Sequence, residues 1–377
     1  MQLSSFQFHT APGIVFGDGE AGRLADRARG RLGNRVLVVT DPGIVGLGLA
    51  EGAMASLRAD AEVFVFDGVG PDPSLAMVDA AVARAREVGA TGIVGFGGGS
   101  PLDVAKAAAL LAGSGEDVEG AWGVGKARGP RQPLALVPTT AGTGSEVTPV
   151  AIITVGEEKR GISSPLLLPD LALLDPELTH GLPAATTAAT GIDAMVHAIE
   201  AYASKSPNNN PLSRMLAREA LKLLADHVED AVAGRREART PMLLGSMMAG
   251  QAFANAPVAA VHALAYPLGG RFKVPHGLSN AVLLPHVLAF NMEEAAARRT
   301  YAELAPLVGA RGADGFLSRL DEISAACGIA GGMRALGVAE DDLDAMTGDA
   351  MKQTRLLVNN PREVTREDAR AIYRAAL

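Results

Sequence analysis

The sequence predicts an α/β N-terminal domain built on a parallel sheet, followed by an all-α C-terminal domain. Short β-branched or apolar runs alternate with amphipathic stretches through the first half of the chain. After about Pro183 the strand signals stop, and Ala, Leu, Met and Glu recur at helical spacing. Glycine is abundant at 44 of 377 residues, well above the usual share of about 7%, as the tight strand-to-helix turns of such a fold require.

The elements follow in order. Strands are expected at 36–40, 63–66, 93–96, 134–137, 151–154 and 171–174, with helices at 46–57, 75–88 and 102–111 between them. This alternation is what a parallel sheet covered on both faces demands, because each parallel return needs a crossover. A proline interrupts the pattern at Leu182-Pro183, which divides the chain into domains 1–182 and 183–377. In the second domain, 191–200 and 247–268 read as helices, and Pro207 to Pro211, with three asparagines between the prolines, reads as an exposed loop.

Composition narrows the function. Lys and Arg total 34 against 42 for Asp and Glu, a formal charge of −8. With no basic run either, nucleic acid is not an expected partner, since phosphate backbones are bound through clustered cations. One cysteine, Cys327, excludes an intrachain disulfide framework and a cysteine-ligated zinc site, so a buried thiol in a reducing, cytoplasmic compartment is expected. The first 19 residues lack the pattern of a secretory signal, and no window approaches the roughly 18 apolar residues of a membrane span.

Two loops carry ligand chemistry. Gly97-Gly98-Gly99-Ser100-Pro101 follows a strand and opens a helix, with Ser100 placed to cap and Pro101 suited to the first turn. Glycines admit a ligand to the backbone, and the helix start offers unpaired N–H groups and a positive dipole end, which suits a pyrophosphate. As a GxGxxG motif the stretch 95–100 fails at its last position. A tight turn with no ligand is the alternative. The stretch 138–146, with Thr139, Thr140 and Thr143, follows the next strand and supplies hydroxyls without bulk. Asp41 ends an earlier strand, where a carboxylate can accept from an adenosine ribose and repel a 2′-phosphate, favouring NAD over NADP; it also suits an Asx turn before Pro42. Asp103 and Lys106 lie one turn behind the glycines, as cradle-supporting groups or solvated helix charges.

Of seven histidines, His9, His180, His227 and His286 lack a polar constellation. Asp193 and His197 stand at i and i+4 on one helix face, and His262 and His276, the latter in a Pro-His-Gly turn, add two imidazoles. One carboxylate and three imidazoles suit Fe²⁺ or Zn²⁺ and leave positions open for a substrate oxygen. Singly, each histidine reads as an ordinary hydrogen-bonded residue; the set is what points to a metal.

Together, residues 97–101, TTAGTGSE at 139–146, LDPELTHGLP at 174–183, 191–202 and PHGLSNAVLLPH at 275–286 resemble the iron-containing alcohol dehydrogenase family, over essentially the whole chain. The resemblance implies a dehydroquinate-synthase-like fold, with a metal in the cleft between an NAD(P)-binding domain and a helical domain. It implies Asp193, His197, His262 and His276 as ligands, and Asp41, Gly98, Gly99, Ser100, Thr139, Thr140, Thr143 and Lys159 around the cofactor, where the loop's own pattern also places Gly97 and Asp103. It further implies a homodimer that passes hydride between a primary alcohol or aldehyde and nicotinamide, NAD(H) being preferred and Fe²⁺ or Zn²⁺ acting as Lewis acid. Where many members read HAMAH, this chain has His262-Ala263-Leu264-Ala265-Tyr266, so Tyr266 takes the place of a histidine credited with proton relay or substrate orientation. Arg271 and Lys273 leave open a reductase of anionic substrates such as maleylacetate, succinate semialdehyde or phosphonoacetaldehyde. A dehydroquinate-synthase-type lyase and a silent binding protein are more distant alternatives.

Overall fold

The computed structural model describes residues 5–156, 158–329 and 331–377. Residues 1–4, part of the segment read as lacking a signal, lie outside these. The chain forms two compact units: His9–Thr140 with Gly144–Gly181, and Leu182–Leu377 with Ala141–Thr143 and the described residues up to Phe8.

Among the described residues, nine strands belong to the first unit: β1 (Ile14–Phe16), β2 (Arg35–Val39), β3 (Glu62–Phe66), β4 (Gly92–Gly97), β5 (Gly123–Val124), β6 (Leu134–Pro138), β7 (Val150–Val155), β8 (Glu158–Ser163) and β9 (Leu171–Leu174). Six of them make a sheet of order β1-β9-β6-β4-β2-β3 in which every pairing is parallel. Alternate side chains fill two cores. Leu37, Val39, Ile93, Leu134 and Leu136 pack on one face, and Val36, Val38, Val94, Phe96, Ala135 and Val137 on the other. Each large apolar side chain so buried contributes about 1.5–3 kcal/mol, which is why these strands read as continuous apolar runs.

The strand expected at 151–154 does not join this sheet. As β7 it pairs antiparallel with β8, whose other edge carries β5. The hairpin partner was not visible in sequence because β8 begins with the charged run Glu158, Lys159 and Arg160.

The expected helix 46–57 is two pieces, α1 (Pro42–Gly46) and α2 (Glu51–Arg58), separated by a turn containing Gly48 at φ +66°. Asp41 Oδ1 accepts from Ile44 N at 2.9 Å and starts the first piece earlier than expected. Then come α3 (Leu75–Glu87) and α4 (Gly99–Ser114).

The second unit is helical, with no strand among its described residues. Its main helices are α5 (Ala184–Ala203), α6 (Pro211–Val232), α7 (Arg239–Asn255), α8 (Ala260–Phe272), α9 (His276–Asn291) and the C-terminal α10 (Arg366–Ala376). Two expectations need correction. The single helix expected at 247–268 is broken, because Pro257 supplies no N–H and separates α7 from α8. The Asn-Pro stretch before α6 is not wholly exposed: Asn210 is buried and caps α6, accepting from Leu212 N and Ser213 N. Among the described residues, no helix is long and apolar enough to cross a membrane.

Candidate functional site

Helix α5 is buried along most of its length, and Asp193 and His197 lie on one of its buried faces. His262 is the third residue of α8, and His276 is the first residue of α9 rather than part of a turn before it. The start of α9 reaches α5 because residue 277 is glycine: a Cβ there would lie 2.3 Å from Ala189 O and 3.2 Å from Asp193 Cβ. One ligand atom from each of Asp193, His197, His262 and His276 falls within 4.8 Å of all the others. Asp193 Oδ1 is 4.0 Å from His197 Nε2, 4.0 Å from His262 Nε2 and 3.9 Å from His276 Nε2.

Electrostatics favour a cation among these atoms. Burial works to raise the Asp193 pKa, but the three imidazoles and the Asn280 amide outweigh it and hold the carboxyl below its ordinary range. Burial also pushes His197 down to about 4, against the attraction of Asp193, so its ring is neutral. His197 Nδ1 faces Gly142 O at 3.2 Å, so Nδ1–H donates and the Nε2 lone pair is left for the cluster. Its ring stacks on His262 at 4.8 Å and packs against Phe253 at 4.4 Å between centroids. A buried carboxylate with ring nitrogens of three imidazoles converging on it fits a divalent ion that accepts N and O donors, Fe²⁺ or Zn²⁺ among them.

Two residues at this cluster were not read from the sequence. Glu200, buried, meets His262 Nδ1 at 2.6 Å and accepts from Ala259 N at 3.0 Å and Val261 N at 2.7 Å. Asn280 Nδ2 donates to Asp193 Oδ1 at 2.6 Å and lies 3.1 Å from His262 Nε2 and 3.3 Å from His276 Nε2. The same helical spacing that linked Asp193 to His197 contained both signals. Glu200 is i+7 from Asp193 on that face, and Asn280 is i+4 from His276.

In the α/β unit the second constellation gathers where β2, β4 and β6 end. Gly97 closes β4 at φ +146°, and a Cβ on it would meet Pro101 at 2.8 Å and Asp41 Oδ2 at 3.4 Å. Thr139 N donates to Gly97 O at 2.9 Å, and a Cβ on Gly98 would lie 3.5 Å from Thr140. Asp41, the glycine loop, Thr139 and Thr140 thus share the carboxyl-end crevice of adjacent strands, the usual ligand position of an open α/β sheet. Ser100 does not cap: α4 starts at Gly99 with Gly98 in the cap position and no side-chain cap bond. The first N–H groups of a long helix therefore face this loop without a side chain across them.

The remaining expected residues are placed as follows. Asp103 accepts from Ser145 Oγ at 2.6 Å and from Ile152 N at 2.9 Å. Lys106 is fully buried and donates to Ser145 Oγ, Thr148 Oγ1 and Val150 O at 2.7, 3.1 and 2.8 Å. Both tie α4 to the segment after β6 rather than pointing a free charge at the glycine loop. Lys159 on β8 donates to Asp72 at 2.6 Å. Thr143 belongs to the short segment grouped with the helical unit. Tyr266 is half-buried, its ring centroid 6.1 Å from that of His276. Arg271 is paired with Asp349 at 2.6 Å, and Lys273 donates to Gly270 O at 2.9 Å.

Comparison with known proteins gives matches along most of the chain. Residues 11–176 match the family model of iron-containing alcohol dehydrogenase, and residues 187–377 that of the C-terminal part of the Fe-containing alcohol dehydrogenase family. The chain is 41% identical over 363 residues to long-chain-alcohol dehydrogenase 1 of Geobacillus thermodenitrificans, covering 92% of this chain and 90% of that one. The crystal structure of a 1,3-propanediol oxidoreductase superposes with a TM-score of 0.95 at 36% identity, over 99% of this chain and 100% of that one. Sulfoacetaldehyde reductase from Bifidobacterium kashiwanohense, solved with NAD⁺, gives a TM-score of 0.90 at 29% identity, over 99% of each chain.

Proposed function

The chain belongs to the iron-containing alcohol dehydrogenase family, and from that premise we propose that it interconverts a primary alcohol and its aldehyde with NAD(H), using one divalent metal ion held by Asp193, His197, His262 and His276. The observation that carries the ligand assignment is the convergence of these four donors, from three helices, within 4.8 Å. When bound, the ion supplies Lewis acidity toward the substrate oxygen, and nicotinamide supplies the hydride acceptor or donor.

The chain's own residues do the rest. Asp193 provides the negative charge that retains a cation, and burial keeps the His197 ring neutral with Nε2 available. Gly97, Gly98, Gly99 and Ser100 receive the pyrophosphate at the start of α4, and Thr139, Thr140 and Thr143 contribute hydroxyls, with Asp103 and Lys159 supporting the cofactor from behind. Asp41 uses Oδ1 to start α1, so Oδ2 is the oxygen we assign to the ribose, which underlies the preference for NAD. We assign Tyr266 a hydroxyl role beside the ligands, replacing the histidine that many members carry. Fe²⁺ is the proposed native ion. Neutral aldehydes are the favoured class, because Arg271 is engaged by Asp349.

The test is His262→Ala, assayed by NADH oxidation with a panel of neutral and anionic aldehydes after adding Fe²⁺ or Zn²⁺. Turnover should vanish while NADH binding survives. In the same assay Tyr266→Phe should keep its metal and lose kcat. Full activity of His262→Ala, or of protein stripped by a chelator, would refute the reading.

A further inference from the structure

We propose that Glu200 is a positioning residue: it fixes the His262 ring with its proton on Nδ1, so that the Nε2 lone pair is aimed at the ligand cluster before any ion arrives. This rests on the metal reading above and names a residue outside the ligand set. Glu200 is 5% exposed and Asn280 fully buried, so water does not compete for either end of the ring. At one end, the carboxylate can only accept from Nδ1, at 2.6 Å. At the other, the Asn280 amide nitrogen can only donate to Nε2, at 3.1 Å. The same amide also donates to Asp193 and faces His276 Nε2, which orients it independently of His262. Both neighbours therefore select the same tautomer, and no rotation of the ring satisfies them in another.

The carboxylate is itself immobilised. Its oxygens accept from Ala259 N and Val261 N at the start of α8, where no side chain of that helix supplies a cap. A helix start also favours negative charge. Glu200 thus joins two functions that are usually separate: it caps the helix that carries His262 and sets the ring on that helix. Outer partners of this kind raise ligand basicity and fix its direction, and their loss typically weakens metal binding 10–100-fold.

The test uses the full chain, freed of metal. In nitrogen-15 spectra of its histidine rings, His262 should carry the proton on Nδ1. Glu200→Gln should redistribute that proton and weaken Zn²⁺ binding, read by chelator competition, by about 10–100-fold, while NADH affinity stays unchanged. A residue that merely caps α8 would lower stability and leave zinc affinity and tautomer as they were, which overturns the proposal. If Glu200→Gln does not fold, Glu200→Asp is read by the same two measurements. A wild-type ring protonated on Nε2 overturns the proposal without any variant. Failure of the unmodified chain to take up either Zn²⁺ or Fe²⁺ would instead overturn the proposed function, and this role for Glu200 with it.

Discussion

Glu146 follows the threonine loop, fully buried, and its Oε1 has no hydrogen-bond partner among the described residues. Burial raises its pKa from 4.5 to about 7, against the pull of its own backbone N–H and of Lys106. Because the folded value lies above the unfolded one, the stability Glu146 contributes is complete below about pH 4.5 and is lost as pH rises through about 7. Glu146→Gln stays neutral throughout. Relative to wild type it should therefore gain on the order of 3 kcal/mol between about pH 4.5 and pH 8, measured as urea midpoints at both ends; parallel pH curves would refute this. Asp41 gives a second prediction at this scale. Asp41→Asn keeps an oxygen for the Ile44 N–H but removes the charge. Its kcat/KM ratio for NADP over NAD should rise about tenfold or more, since nearby like charges repel by a few kcal/mol. An unchanged ratio would remove Asp41 from cofactor choice. Asp41, the glycine loop and the four proposed metal donors stood out as candidates because they match positions that the family resemblance marks. Glu200 was overlooked although it stands i+7 from Asp193 on the same helix face, because the groups it serves, at 259, 261 and 262, are distant in sequence.

At the scale of elements, strands buried on both faces were legible to within a residue or so, since a run such as Leu134–Pro138 is apolar throughout. Short β1 and charged β8 were not, because sheet pairing rather than pattern defines them. Helix ends failed where backbone chemistry outweighed periodicity. Pro257 divides the expected helix at 247–268, and the bare glycine start of α4 lies three residues before Leu102. The junction of α9 with α5 yields a test, because Gly277 is where the helices that carry His276 and Asp193 touch. Gly277→Ala places a methyl 2.3 Å from Ala189 O, so the backbones must separate. Overpacking of this kind costs about 1–3 kcal/mol, and a shift of that size at His276 should lower metal affinity as well as the melting temperature. Gly181→Ala, whose Cβ meets nothing within 4 Å, is the control. Equal metal affinity in the two variants would show that this contact does not set the ligand geometry.

At the scale of the molecule, all four proposed ligands lie in the helical unit, whereas Asp41, the glycine loop, Thr139 and Thr140 lie in the α/β unit. An ion that binds only the folded site stabilises what it binds by RT ln(1 + [L]/Kd), about 2.7 kcal/mol when free metal is at 100 times Kd. That free energy appears where opening a segment would release the ion. In hydrogen exchange, metal loading should therefore raise protection in Ala184–Ala203, Ala260–Phe272 and His276–Asn291, the helices that bring the ligands together. Adding NAD⁺ to metal-free protein should instead protect the first turns of Gly99–Ser114 and the end of Leu134–Pro138. The two patterns separate the assignments, because each ligand reports on its own unit through local opening. Metal-linked protection confined to the parallel sheet would mean that the ion binds somewhere other than the Asp193 cluster.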